Sequence, residues 1–563
     1  MRKLIFLIVL ICAVVSVNAQ GRAEYASISG NEVLKNADLT ILLNFDNRTQ
    51  VYKQSNKPLV DFAIQEASIT DYETGQIRYY ATRDGNCLVS YLRPLADNPV
   101  FEETGKTDSI LGYLCHHAKT IVFGNTIEIW YASVNGISGS PWSSYQHGKD
   151  LIFKILRNGS YGAILQMFMM PTRQSIRVPE NWGEETDQAG YRQFLNQAYI
   201  KRVEVFNNDS LYWGAENGKT SQLESGRSIH FAGGTFIMKK VKLPKITADY
   251  QLFAELSEWS AGDAYDRTGS VFFLMPGSEK AFFKALDMHP DSLPGIHGKD
   301  GKFYQGYVPK NTYFPPVEIM RFFTPFGVRQ YNEKVKVNGI QWNDSVLYSQ
   351  EISHLLPVLK GEIYIGAYIG NYDKGGHRIN LNLKYFPGTL VIEEIPEENR
   401  FVLPLFNTVN ILEMAGQAYS TLFIDDSLRI EFNVPEGSKD LKIIYTATGH
   451  GGWSEGDEFV RKEHRFYLDG NPLYHFTPWR TDCMCYRSSN PASGNFWNGL
   501  SSSDYSRSGW CPGSLSYPVE ISLGKLSAGK HTLMLTIPAG KPDGNGFSFW
   551  NVSAVLVGIK DSN

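Results

Sequence analysis

The sequence predicts an all-β protein of several domains, because strand-like alternation recurs throughout the chain while helical periodicity is nearly absent. Residues 429 to 434, "RIEFNV", alternate polar and apolar, "PEGSKD" turns, and "LKIIY" begins another strand. Further on, "HTLMLTIPAG" sets Leu533, Leu535 and Ile537 on one face. Short strands at this spacing suggest sandwiches. The two credible helices are short, "DQAGYRQFLNQAYIK" (187 to 201) and "SEKAFFKALD" (278 to 287). At 563 residues the chain has room for roughly three or four domains.

From the N-terminus, "MRKLIFLIVLICAVVSVNAQ" has a basic start, an apolar run from Leu4 to Val17 and a small residue at Ala19. This fits a cleaved signal over residues 1 to 19, with Gln20 first in the mature chain. Cys12 follows Ile11 rather than a small residue, which argues against a lipid anchor. No other apolar run is long enough to cross a bilayer. We therefore expect an exported protein, periplasmic, on the cell surface or secreted, without a membrane span, and a monomer. Lys and Arg number 54 against 58 Asp and Glu, a net charge of -4, so nucleic acid is not an expected partner.

Export permits disulfides, and Cys87, Cys115, Cys483, Cys485 and Cys511 lie beyond the signal. Cys87 and Cys115 sit in strand-like segments and form the natural pair; Cys511 pairs with Cys483 or Cys485, the assignment carried forward being Cys485 with Cys511. One thiol is left over. Cys483-Met484-Cys485 lacks the second ligand pair of a tetrahedral zinc site, so no metal and no cofactor are expected.

Composition shifts near "ESGRSIHFAGG" (224 to 234) and "IPEENR" (395 to 400) divide the chain into an N-terminal β-rich module at 20–226, a second at 227–392 and a third at 393–563. Catalytic signatures are scarce: there is no GxSxG, no HExxH and no phosphate-cradling loop. His116 and His117 are adjacent in a strand and point to opposite faces. What remains is acids at turns, with arginines and aromatics. In "GDAYDRTG" (262 to 269), strand alternation puts Asp266, Thr268 and Ser270 on one face and Arg267 on the other. In "GHGGWSEGDEFVRKEHRFYLDGNP", a glycine-rich loop delivers Asp457 and Glu458 to a strand that ends in an Asp469-Gly470 hairpin turn. The loop 485–513 gathers Phe496, Trp497, Tyr505 and Trp510 with Arg487 and Arg507. Singly, each acid reads as a solvated carboxylate and each tryptophan as core. Together, aromatics and arginines in one loop suit a sugar, whose apolar ring face stacks while its hydroxyls hydrogen-bond.

These pieces, with "GTF" (234 to 236), "YDRTGSVFF" (265 to 273), "EIMRFFTPFGV" (318 to 328), "EIYIGAYIG" (362 to 370), "GDEFVRKEH" (456 to 464) and "RSGWCPG" (507 to 513), resemble the bacterial peptide N-glycosidase F family in order and spacing over 227 to 563. The first module resembles the extra N-terminal domain of longer members. The resemblance implies two adjacent antiparallel jelly-roll sandwiches with the active site between them, and an amidase that releases intact glycans from N-linked glycoproteins and glycopeptides. It implies Asp266 as the catalytic aspartate, Arg267 as its substrate-binding neighbour and Glu458 as the second acid. Arg507 and Trp510 match the glycan-binding loop, and His450 or Trp453 stands near the family's loop tryptophan. The first module, on this reading, packs against or gates the catalytic pair.

The chain departs from the family at one acid. Its position is Gly366 here, with Tyr368 as the neighbouring substrate-binding aromatic; the expectation is that either Glu362 or Asp373 reaches the cleft instead or the site works with two acids. Gly366 is also expected to open space for a core bearing α1,3-linked fucose. The alternative function is a non-catalytic glycan-binding protein that kept the jelly rolls. A copper hydroxylase of similar fold ranks third, for want of recognisable ligand histidines.

Overall fold

The computed structural model describes residues 14–18, 21–30, 32–35, 37–55, 63–170, 175–246, 250–388, 399–451, 456–541 and 547–561. The described chain is almost entirely β, with α-helices at Gln188–Ala198 and Glu279–Asp287, both where the sequence places them. It divides into two compact units, residues 1–201 and 202–563.

The first unit is one long sheet. From Asn86–Pro94 through Gln76–Arg83, Gln65–Asp71, Arg48–Gln54, Leu39–Phe45 and Gly21–Ser29 it continues to Tyr161–Met169, Leu151–Arg157, Asn125–Ala132, Tyr113–Val122 and Glu102–Ile110, each pair antiparallel. His116 is exposed and His117 buried, as alternation requires. Of the expected signal segment, Val14–Asn18 pairs antiparallel with Ser175–Pro179, and the rest lies outside the described residues.

The second unit is a pair of sandwiches. In the first, the four-stranded sheet Lys201–Leu211, His377–Pro387, Tyr250–Ser260, Val346–Glu351 packs on a six-stranded sheet that contains Phe236–Lys242, Glu362–Ile369, Thr268–Phe273 and Val317–Phe323. Alternation makes the layers: Leu252, Leu256, Ile379 and Leu381 from one sheet meet Ile237, Val271, Ile319 and Ile365 from the other, all at most 1% exposed. The second sandwich sets Arg400–Asn407, Phe549–Lys560, Ser438–His450 and Val519–Gly524 against Leu428–Val434, Gly529–Thr536, His464–Leu468 and Asn471–Phe476. Asp469 and Gly470 close the expected hairpin with φ of 50° and 81°, the left-handed pair that a type I′ turn needs. The unit boundary at 201/202 comes earlier than the 226/227 boundary expected from composition, because Lys201–Leu211 belongs to the first sandwich's sheet.

The sandwiches are joined rather than merely adjacent. Leu515–Ser516, from the later sandwich, completes the six-stranded sheet by pairing with Arg321 and Phe322. Arg321, 1% exposed, donates to both Glu318 oxygens (2.6 and 2.7 Å) and across the seam to Thr448 Oγ1 and the Asn551 carbonyl, both at 3.0 Å. Ser270 and Ser553 donate to the same glutamate from opposite sandwiches. A buried ion pair tolerates burial only when its remaining donors and acceptors are met, and these are.

The disulfide is Cys483–Cys511, not Cys485–Cys511. Cys483 and Cys485 both stand in the 3₁₀ segment Cys483–Ser489, where residues two apart point to different sides; Cys483 is buried and Cys485 exposed. Cys87 and Cys115 are not bonded to each other. Their strands lie toward opposite ends of the long sheet and their side chains belong to different apolar clusters. Among the described residues, three free cysteines therefore replace the one expected. We predict that a thiol reagent labels Cys485 in the native protein and Cys115, 0% exposed, only after unfolding. Cys483→Ser should lower stability to denaturant by about 3 kcal/mol, as expected for cross-linking residues 28 apart.

Candidate active site

Asp266 lies in the loop between Tyr250–Ser260 and Thr268–Phe273, just ahead of the strand on which alternation would place it. Thr324, fully buried, fixes that loop: its hydroxyl accepts from the Arg267 N–H at 2.8 Å and donates to the Tyr265 carbonyl at 3.2 Å, and its own N–H donates to the Arg267 carbonyl at 2.9 Å. From the other sandwich, the turn after the glycine loop presents Glu458, whose carbonyl accepts from the Ser508 N–H at 2.9 Å. Asp457 turns the other way, fully buried, and accepts from Trp550 Nε1 at 2.6 Å and the Gly540 N–H at 2.9 Å.

Arg507 joins the two acids. One Nη1 donates to Glu458 Oε1 and lies 3.4 Å from Asp266 Oδ2. Its Nη2 donates to the Ser502 carbonyl at 2.6 Å, its backbone pairs with Arg480, and its guanidinium lies over Trp510 and Phe459, 4.4 and 5.1 Å from the ring centroids. The arginine side chain is 2% exposed, whereas Asp266 and Glu458 keep 15% and 20%. The carboxylates are thus the reachable part of a buried cluster. Gly509, next in the motif, has φ of 83°, and a Cβ there would stand 2.3 Å from the Ala447 carbonyl oxygen.

Burial raises both carboxyls above the usual range, against the pull of Arg507. Glu458 reaches about 7, the charge on Asp266 adding to the effect of burial. Two acids facing one arginine in a partly dry site titrate as a pair and hold a proton at neutral pH that free carboxyls would lose.

Arg267 does not point at Asp266. Its Nε and Nη2 grip Asp263 (2.7 and 3.2 Å), and its guanidinium lies between the rings of Tyr265 and Tyr372, at 5.1 and 5.3 Å. Those rings are 61% and 50% exposed, which makes the tyrosine-arginine-tyrosine stack the solvent-facing wall beside Asp266. Asp263, expected to be a turn residue, does shape the turn by accepting from the Tyr265 N–H, but it also begins a buried chain of charge. His377 Nε2 stands 3.5 Å from Asp263 and its Nδ1 2.7 Å from Glu258, with both His377 and Glu258 fully buried. Burial alone would raise Asp263, but the bonds from His377 and Arg267 hold it well below the carboxylate range. Burial likewise opposes charge on His377, yet its two carboxylate partners lift it to about 9.

The other expected contacts are placed differently. Trp510 is 3% exposed: Phe323 stacks on it at 3.9 Å, Arg507 lies over its ring, and Nε1 donates to the Gly449 carbonyl. It supports Arg507 and offers no face to a sugar. His450, 7% exposed, stacks with Phe323 and Phe549, and burial with the nearby arginines pushes it down to about 3, so it is neutral. Trp453 lies outside the described residues. Tyr368 is buried and donates to Glu413 Oε2 at 2.6 Å. Gly366 opens no space: a Cβ there would meet Phe272 at 2.5 Å and Phe236 at 2.7 Å, two rings that are fully buried. Glu362 pairs with Lys240, and Asp373 accepts from the N–H groups of Gly375 and Gly376, so neither supplies the missing acid. The acid nearest Tyr368 is Glu413, unforeseen from sequence, which also accepts from Tyr372 and Tyr419. Through Tyr372 it adjoins Arg267.

Two carboxylates are thus carried on facing loops of paired jelly rolls and bridged by one buried arginine. Residues 202–385 match the model of peptide-N-glycosidase F, N terminal, residues 418–557 that of its C terminal, and residues 23–192 that of the N-glycanase peptide, N-terminal domain. A solved structure of PNGF-II in space group P21 is 37% identical, covers 96% of this chain and 100% of its own, and superposes with a TM-score of 0.73; a C2 form gives 37%, 96%, 98% and 0.68. PNGase F, described as a glycosylasparaginase from Flavobacterium meningosepticum, is 13% identical over 64% of this chain and 96% of its own, with a TM-score of 0.43. The search of curated proteins gave no match. The chain belongs to the peptide-N-glycosidase F family, and is an amidase hydrolase of the N-glycanase type.

The buried chain of charge makes a stability prediction. A free histidine loses its proton near pH 6.5 and folded His377 near 9, so the folded value is the higher. The stabilisation from charged His377 is complete below about pH 6.5 and is lost as pH rises toward 9, by about 3 kcal/mol. Denaturant midpoints measured across that range should fall, and His377→Gln should flatten the slope.

Proposed function

We propose that the protein hydrolyses the amide linking N-acetylglucosamine to asparagine in N-glycoproteins and glycopeptides, releasing the intact glycan and leaving aspartate. The observation that supports this most directly is the bridge from Arg507 to Asp266 and Glu458, one acid from each sandwich. Hydrolysis of an unactivated amide needs a base for water and an acid for the departing nitrogen, and a pair that shares a proton near neutrality offers both.

Asp266 takes a proton from water as its oxygen attacks the asparagine side-chain carbonyl carbon. Glu458 supplies a proton to the glycosylamine nitrogen as the carbon–nitrogen bond breaks. Arg507 keeps one acid of the pair ionised and limits their repulsion. The wall formed by Tyr265, Arg267 and Tyr372 faces the first sugar or the peptide backbone. Trp510 and His450 act by bracing Arg507 and the seam. The N-terminal unit is an accessory domain, and the chain works as an exported monomer. Acceptance of an α1,3-fucosylated core also belongs to this proposal; Gly366, packed against Phe272 and Phe236, does not supply the room for it.

The test is a denatured N-glycoprotein incubated in ¹⁸O-labelled water. Conversion of glycosylated asparagine to labelled aspartate establishes the amidase; glycan binding without conversion establishes the non-catalytic alternative. Asp266→Asn should lower kcat/KM by about a thousandfold with the fold retained, because an amide cannot take the proton from the attacking water. Glu458→Gln should remove the titration near 7 from the pH–rate profile. A fucosylated glycopeptide run in parallel should react at a rate close to that of its plain counterpart.

A further inference from the structure

The aromatic loop contains two tryptophans in opposite surroundings. Trp510 is 3% exposed and Trp497 98%. An indole that exposed removes almost no area from water, so folding does not account for its presence. Its backbone is nevertheless firmly held. Phe496 N–H donates to the Leu500 carbonyl and Gly499 N–H to the Phe496 carbonyl, both at 2.8 Å, and Leu500 N–H donates to Asn498 Oδ1 at 3.1 Å. Gly499 takes the left-handed conformation, φ 85°.

Both neighbours of the tryptophan are anchored. Phe496 meets Tyr505 edge to face at 4.3 Å and Phe459 at 6.0 Å, while Asn498 donates to the Tyr505 hydroxyl. That anchor reaches the active site, since the Arg507 guanidinium lies over Phe459 and donates to Ser502 of the same loop. Trp497 is five chain steps from Ser502, so their Cα atoms stand no more than about 18 Å apart. An oligosaccharide can span a distance of that order.

We propose that Trp497 is a fixed outer platform for the substrate's glycan, stacking on a sugar several units away from the amide that Asp266 and Glu458 attack. The proposal rests on the amidase reading and refines its substrate class. An indole gives a pyranose an apolar face and one N–H donor at its edge, and Leu500, 52% exposed, widens the apolar surface. A platform already rigid before binding loses little conformational freedom when the sugar arrives.

The test compares one glycopeptide bearing an intact branched glycan with the same peptide trimmed to a single N-acetylglucosamine, using the full chain. Trp497→Ala should lower the ratio of kcat/KM for intact over trimmed substrate about tenfold, mainly through KM, and Trp497→Phe should restore most of it; an unaltered ratio overturns the proposal, as does an equal loss on both substrates, which would place the peptide on the indole. A second measurement needs no turnover: free oligosaccharide titrated into the protein by calorimetry should bind about tenfold more weakly to Trp497→Ala, and equal binding overturns the platform. A protein that binds the oligosaccharide through Trp497 but cleaves nothing fails the amidase reading and keeps the platform. One that cleaves both substrates in a ratio indifferent to Trp497 fails the platform alone.

Discussion

The buried ion pair of Arg321 and Glu318 is the constraint on which the site depends. The two acids belong to different sandwiches, and their separation is set by whatever fixes one sandwich against the other. Arg321 donates to its own sandwich's glutamate and to Thr448 and Asn551 of the next, while serines from both sides complete the glutamate. A purely apolar seam would allow sliding, since apolar contact is non-directional. Directional bonds among buried charges leave one register.

Two further arginines extend this logic toward solvent. Arg507 fixes the acids to each other, and Arg267 holds the tyrosine wall while a buried aspartate, histidine and glutamate stand behind it. Each of these three arginines has a carboxylate within contact. This keeps Asp266 and Glu458 partly dry without leaving an isolated charge in the interior.

Much of this was legible in the sequence. Alternation marked strands such as Leu428–Val434, whose burial alternates residue by residue, and the order of short motifs brought Asp266, Glu458 and Arg507 together. Burial of the aromatics was not legible: Trp497 and Trp510 share a loop and a composition, and contacts distant in sequence distinguish them, among them Phe323 from the other sandwich and the Gly449 carbonyl. The partnership of Glu258 with His377 spans 119 residues and carries no local pattern. Glu413 was missed for the same reason, its tyrosines being gathered by the fold rather than by the chain. Gly366 misled because a missing side chain reads as empty space until its neighbours are known.

The short strand Leu515–Ser516 has a consequence beyond joining the sheets. By pairing with Arg321 and Phe322 it occupies an edge of the first sandwich whose strand, Val317–Phe323, is almost wholly buried and carries five apolar side chains. Unpaired edges of that kind recruit other chains. The later sandwich thus shields the earlier one from self-association, and during synthesis that edge stays exposed until nearly two hundred more residues have been made.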